Sequence, residues 1–219
     1  MDRKELIKSG QILSDRDELF DELRIREKEQ ETESVPIDAP VPSGWEIYKE
    51  YKHKKQIVKY KSKHRAFEDH LWKLFYTSGL THMSTYPFIL KGKKSDREID
   101  VLAADEDFVF LIECTTKRDI GKQGRLKSKM DETRTKFDMV KNRIKQLFPG
   151  RAQFHIFATK DIEWTDSQLQ VAKELKLINL NEYQLEYLFD LVDIAGAGAK
   201  YQIYNRILRG QKKNKKSSF

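Results

Sequence analysis

A single cysteine, Cys114, stands in a chain of 219 residues. That excludes an internal disulfide and any zinc site built from several thiolates. Proline is nearly as scarce, and three of the five prolines, Pro36, Pro40 and Pro42, fall together in one linker-like break that Gly44 closes. No stretch approaches the roughly 18 consecutive apolar residues that a membrane helix needs. The first residues, Met1 to Ser9, carry charge where a secretory signal needs an apolar run. The expectations are a cytoplasmic protein and no membrane partner. No Gly-rich phosphate loop, His-Glu-x-x-His pair or Gly-x-Ser-x-Gly elbow occurs. His53, His64, His70, His82 and His155 are scattered without metal-ligand spacing.

Charge, by contrast, is abundant. Lysine and arginine number 42 against 35 aspartates and glutamates, a net charge of +7. A basic balance favours polyanionic partners through phosphate neutralisation and counterion release. The charge is unevenly placed. Residues 1–43 are a charged N-terminal segment and linker, in which Leu13, Leu19, Phe20 and Leu23 form one short apolar face of a solvated, frayed helix. Residues 44–63 form an arm in which Trp45, Tyr48 and Tyr51 lie beside Lys52, Lys54 and Lys55. Aromatics among lysines suit bases and phosphates, and they equally suit an arm anchored onto a domain.

Residues 64–194 read as a compact domain, and residues 195–219 as a C-terminal helix with a basic tail. Phe67, Leu71, Leu74 and Phe75 mark one face of a helix that Gly79 ends. Strands are expected over 85–91, 98–104 and 108–115, the last a nearly continuous apolar run suited to a central strand. Asp105-Glu106-Asp107 is the turn of a hairpin between the second and third. Leu126, Met130, Phe137, Val140, Ile144 and Leu147 recur at helical spacing up to Pro149-Gly150. A strand at 153–159 follows, so the strand–helix–strand unit predicts a parallel crossover. Thr165 and Asn181 are placed to cap later helices.

The chemistry lies in two acids within apolar strands. Asp100 stands in Glu98-Ile99-Asp100-Val101, and Glu113 in Leu111-Ile112-Glu113-Cys114. A carboxylate in an apolar strand is costly to bury without compensation. A divalent cation bound by one or two carboxylates, waters and phosphate oxygens supplies it. The competing reading makes Glu98 and Asp100 solvent-facing and gives Glu113 a structural salt bridge.

This order of elements, with Asp100 on the second strand and Glu113-Cys114-Thr115 on the third, resembles the PD-(D/E)XK restriction-endonuclease-like superfamily over roughly residues 64–160. The resemblance implies an α/β fold with an αβββαβ core and a mixed central sheet. It also implies metal-dependent cleavage of DNA with Mg²⁺ or Mn²⁺. Asp100 and Glu113 would then be metal ligands, joined by the carbonyl of Cys114, and Glu68 on the first helix would assist catalysis. Thr115 stands where the family has lysine. Lys117, on the same face if the strand continues, is the expected replacement, with Lys127 as runner-up, and an inactive DNA-binding module is the alternative. Lys122 and Lys127 join Lys52, Lys54 and Lys55 as expected nucleic-acid contacts, and self-association into a homodimer is left open. Gly44 to Lys54, Ile112-Glu113-Cys114 and Ala199-Lys200-Tyr201-Gln202 also resemble the nuclease-like front region of DGQHR-domain proteins, which implies a setting in DNA modification or phage defence. The signature that names those proteins is absent here. Cys114 itself reads as a core thiol.

Overall fold

The computed structural model describes residues 3–8, 10–86, 88–90, 96–117 and 125–205. The first elements are α1 (Arg3–Lys8), β1 (Ile12–Leu13) and α2 (Arg16–Arg26). Strands β2 (Gln30–Pro36), β3 (Glu46–Glu50) and β4 (Lys54–Tyr60) follow. The core then runs α3 (Lys63–Thr77), β5 (His82–Ser84), β6 (Phe88–Leu90), β7 (Arg97–Ile99), β8 (Val101–Ala104), β9 (Phe108–Thr116), α4 (Arg125–Leu147) and β10 (Ala152–Lys160). Helix α5 (Asp166–Glu174), β11 (Ile178–Leu180), α6 (Glu182–Ala195) and a 3₁₀ turn (Gly196–Ala199) complete it, with helical residues 200–205 beyond.

The architecture is α/β, and α3, β5, β8, β9, α4 and β10 realise the αβββαβ order around a mixed central sheet. That sheet has six strands in the order β1-β5-β8-β9-β10-β11. Strands β8 and β9 pair antiparallel, while β9–β10 and β10–β11 pair parallel. The parallel pair requires a crossover, and the 23-residue helix α4 provides it. Strand β9 lies between two partners and is buried on both faces. Phe110, Ile112 and Cys114 pack with Phe67, Leu71 and Phe75 of α3. Val109 and Leu111 pack with Met130, Phe137 and Ile144 of α4. Each such side chain contributes about 1.5–3 kcal/mol by leaving water, so the two helices are clamped to the strand that carries Glu113.

The helix ends follow their local chemistry. Ser62 caps α3 by accepting the Arg65 amide at 3.1 Å, and Thr165 and Asn181 each form a full capping box. Gly79 has φ +92°, and a Cβ there would stand 3.1 Å from that of Ala197, so a side chain would strain the backbone and crowd Ala197.

Several local expectations are corrected. The strand expected over 85–91 is two pieces. His82–Ser84 joins the central sheet, whereas Phe88–Leu90 pairs with Arg97–Ile99 in a separate ribbon. The strand expected over 98–104 breaks at Asp100. Its side chain takes the Cys114 amide, one residue past the last β8–β9 backbone pair, Val101↔Ile112. The N-terminal helix is not frayed. Asp15 caps it, Leu19 is buried, and Arg26 is buried in ion pairs. The supposed linker around Pro36 to Gly44 joins β2 to β3 of a three-stranded antiparallel sheet, order β2-β4-β3. Helix α3 follows β4 directly.

Candidate active site

Three elements deliver carboxylates to one place. Strand β9 turns Glu113 toward α4, where it is 2% exposed. The Lys136 ammonium donates to both its oxygens, at 2.7 Å to Oε1 and 2.5 Å to Oε2. Lys129 Nζ stands 3.6 Å from Oε1. Lys129, Thr133 and Lys136 lie at i, i+4 and i+7 of α4, so one helix face meets the acid. Asp100 is buried beside it, and its Oδ2 accepts the Cys114 amide at 2.7 Å. One further step in the β8–β9 register sets Asp100 across from Glu113. Helix α3 brings Glu68, whose Oε1 meets His64 Nε2 at 2.9 Å and whose Oε2 accepts from Arg65 at 3.0 Å. One ligand atom each from His64, Glu68 and Asp100 lie within 4.8 Å of one another.

The electrostatics follow from this crowding. Burial, then the neighbouring Glu113 carboxylate, raise the Asp100 pKa to about 7, against the pull of Lys136 and the Cys114 amide. Burial, then the carboxylates around it, push the Cys114 thiol well above its ordinary range, which disfavours the thiolate. On the α4 side two buried hydroxyls, Thr115 Oγ1 and Thr133 Oγ1, have no hydrogen-bond partner among the described residues. Thr115 shares the strand face of Glu113, and Thr133 stands one turn before Lys136.

A divalent cation fits this place. The donors are hard carboxylate oxygens with one imidazole. The proton that Asp100 retains toward neutral pH marks a local deficit of positive charge, which a cation would fill. The orphaned hydroxyls add polar groups suited to ordered water.

The expected residues are distributed unevenly. Asp100, Glu113 and Glu68 come together. The tightest ligand group differs from the expected Asp100, Glu113 and Cys114: it contains Glu68 and His64, while Glu113 is engaged by Lys136. Cys114 turns its side chain into the α3 face, and its amide is what meets Asp100. Lys117 is corrected. Strand β9 ends at Thr116, and Lys117 is exposed and already helical, off the line that a continuing strand would have given it. Lys127 is engaged elsewhere, donating to Ser167 at 2.8 Å. Lys55 is buried at 7% exposure and withdrawn from any nucleic-acid surface, whereas Lys52 and Lys54 are exposed. Lys122 lies outside the described residues. His64 and Lys136 were not anticipated. The i, i+4 spacing of His64 and Glu68 was a visible signal for the first, and the Lys129-Thr133-Lys136 spacing for the second.

Comparison with family models returns no match, and comparison with curated proteins returns none either. Among solved structures, the chain is similar to a protein of unknown function, AF1548, at 17% identity and TM-score 0.40, over 51% of this chain and 55% of that one. It is similar to the small subunit of the heterodimeric restriction endonuclease R.BspD6I at 17% identity and TM-score 0.36, over 66% and 88% of the two chains. Protein VC1899 from Vibrio cholerae gives 12% identity and TM-score 0.40, over 90% and 49%. The chain thus spans about half the length of the first and third of these. No helix among the described residues is long and apolar enough to cross a membrane.

Proposed function

We propose that the protein is a divalent-metal-dependent endonuclease that hydrolyses phosphodiester bonds in DNA. One observation carries this: three buried carboxylates, Glu68 from α3 with Asp100 and Glu113 from the β8–β9 side, converge with the Lys136 ammonium of α4. Asp100 and Glu68, with His64, would hold Mg²⁺ or Mn²⁺. When bound, the cation supplies Lewis acidity toward a phosphoryl oxygen and acidifies a coordinated water. The chain's own groups do the rest. Glu113 fixes Lys136 in place, and the ammonium, supplied from the helix rather than from position 115, offsets charge that builds on the attacked phosphate. Thr115, a neutral donor and acceptor, can orient water but adds no charge. Exposed Lys52 and Lys54 offer phosphate contacts. The likeness of Gly44 to Lys54 and Ala199 to Gln202 to DGQHR-domain proteins supports a setting in DNA modification or defence.

A second reading, a nuclease fold that binds DNA without cutting it, draws on the same ion pair. Lys136 closes on both oxygens of Glu113, and the motif lysine is replaced by Thr115. Incubation of the full chain with supercoiled plasmid separates the two. Nicking or linearisation in Mg²⁺ or Mn²⁺, abolished by EDTA and by Asp100→Ala, is the expected result. Salt-sensitive plasmid binding with no cleavage in either metal would establish the binding module instead.

A further inference from the structure

We propose that the cleft between the three-stranded sheet and the start of α3 seats an unpaired nucleotide, so that the substrate carries a single-stranded portion next to the bond that is cut. The proposal rests on the nuclease reading and specifies its substrate.

The cleft encloses about 620 Å³ and is walled by the end of α2, strand β4 and the entry to α3. Cationic side chains outnumber acids on its wall five to one, with Glu31 the acid. Two of these cations, Arg26 and Lys61, are already committed to Asp69, at 2.8 and 2.6 Å. They build the wall. Lys28 and Lys59 are exposed and, among the described residues, make no ion pair, so their ammonium groups are available to phosphates. Two tyrosines that the core does not need line the same cleft. Tyr60 is 57% exposed and Tyr86 48% exposed.

Arg65 couples this cleft to the candidate active site. Its guanidinium carbon lies 3.4 Å from the centre of the Tyr86 ring. The same guanidinium donates to Glu68 at 3.0 Å and approaches Asp69 at 3.1 Å. The Tyr86 hydroxyl also feels Glu68, Glu98 and Asp100, which add to burial in raising its pKa. One wall of the cleft is therefore the rim of the site. A ring backed by a guanidinium is a rigid platform, and a base is the flat partner such a platform accepts. Bases within a duplex already stack on their neighbours and offer no free face, so tyrosines here select for unpaired nucleotides. Aligned lysines without aromatics would serve any polyanion; the pairing of the two in one narrow cleft points to a nucleotide.

The full chain in EDTA, titrated into labelled oligonucleotides, tests this by fluorescence anisotropy. The probes are a single strand, a blunt duplex and a duplex with an overhang of about six nucleotides, within the footprint of single-strand sites. The single strand and the overhang are expected to bind at least about tenfold more tightly than the blunt duplex. Tyr86→Ala and Tyr60→Ala should each weaken that binding about tenfold, the loss of one stacked base. Tyr86→Phe, which keeps the ring, should bind as wild type does, and both tyrosines are exposed enough for the variants to fold. Equal affinity for blunt duplex and single strand, or alanine variants that bind like wild type, would overturn the proposal while plasmid cleavage left the nuclease reading standing. Lys59→Ala weakening binding with the tyrosine variants unaffected would reduce the cleft to a charge patch and overturn it too. No binding to any of the probes would remove the nucleic-acid reading itself.

Discussion

Two carboxylate clusters flank the first turns of α3, one residue apart in sequence, and they differ in whether every acid is answered by a cation. Asp69 is buried and answered by three cations: Arg26 at 2.8 Å, Lys61 at 2.6 Å and Arg65 at 3.1 Å. Arg26 is itself held by Glu22 at 2.7 Å. Every charge there has a partner, and the cluster locks α2 and β4 onto α3. Glu68, the next residue back, belongs to the other cluster, where it joins Asp100 and Glu113. Glu113 is answered by Lys136 and, at 3.6 Å, by Lys129, and Glu68 by His64 and by Arg65, which it shares with Asp69, whereas Asp100 makes no ion pair among the described residues. Asp100 is left to hold a proton toward neutral pH. A buried cluster that closes on charge is architecture. One that stays short of positive charge is poised to take a cation.

Neutralising one acid in each cluster puts that contrast under the greatest strain. Asp100→Asn is expected to lower plasmid hydrolysis about a thousandfold, about 4 kcal/mol of transition-state stabilisation. It should leave the metal-free fold as stable as wild type or more so, because a crowded buried charge is removed. Asp69→Ala should do the reverse, costing about 3–5 kcal/mol of stability, because Arg26 and Lys61 lose the acid between them and Glu22 alone is left to answer the buried guanidinium. Urea unfolding of both variants is the measurement. Equal losses of stability would erase the distinction between the clusters.

A smaller effect separates the two lysines. Lys136→Ala should reduce hydrolysis about tenfold to a hundredfold, as expected when one charged group no longer stabilises a transition state. DNA affinity should be nearly retained, because transition-state stabilisation need not appear in the ground state. Lys117→Ala should cut within about twofold of wild type, since its side chain is exposed beyond the end of β9. If Lys117→Ala is the slower enzyme, Lys136 is only the structural partner of Glu113.

The two regions also differ in how far they could be read from sequence. Strand β9 announced itself as an apolar run, and α4 as a helix, because both are buried and burial imposes periodicity. Asp100 and Glu113 stood out for the same reason, as charges in apolar strands. Glu68 was placed by likeness to a family pattern, and the structure brings it to Asp100. Lys136 escaped because it reaches Glu113 across a helix–strand packing, 21 positions from Thr115, where no rule of strand continuity leads. Strands β2 and β3 escaped because nearly all their residues are exposed, so no alternation of apolar and polar residues betrays them. Lys55 looked like its neighbours in a basic run, and only the pairing of β4 between β2 and β3 turns it inward.

The smallest effect is a pH dependence, and it compares Asp100 with a third buried ionisable group outside both clusters. His155 on β10 packs against Phe137, and its Nδ1 lies 3.3 Å from the Arg134 guanidinium. Burial first, then the Arg134 charge, lower its pKa from 6.5 to about 4. The unfolded chain therefore takes up a proton near pH 6.5 that the folded chain refuses until about pH 4. Stability from this residue is fully present above pH 6.5 and is lost as pH falls toward 4, a contribution of about 1–2 kcal/mol after screening. Asp100 works in the opposite sense. Its folded pKa of about 7 exceeds the ordinary 3.8, so the folded chain holds the extra proton, and stability declines as pH rises through that interval. His155→Gln, which keeps a neutral polar group, should remove the loss between about pH 6.5 and 4, so that the decline with rising pH from Asp100, which spans the same window, stands alone. Asp100→Asn should remove the decline toward about pH 7 and so steepen the net loss of stability toward about pH 4, because the two windows overlap with opposite signs. Urea midpoints at about pH 4.5, 6 and 7.5 measure both. A loss toward about pH 4 unchanged in His155→Gln would remove His155 as its source; Asp105 cannot supply it, because, against burial, the hydrogen bonds of Lys200 and Tyr204 hold its pKa below the ordinary 3.8 and its contribution is lost only beneath that value.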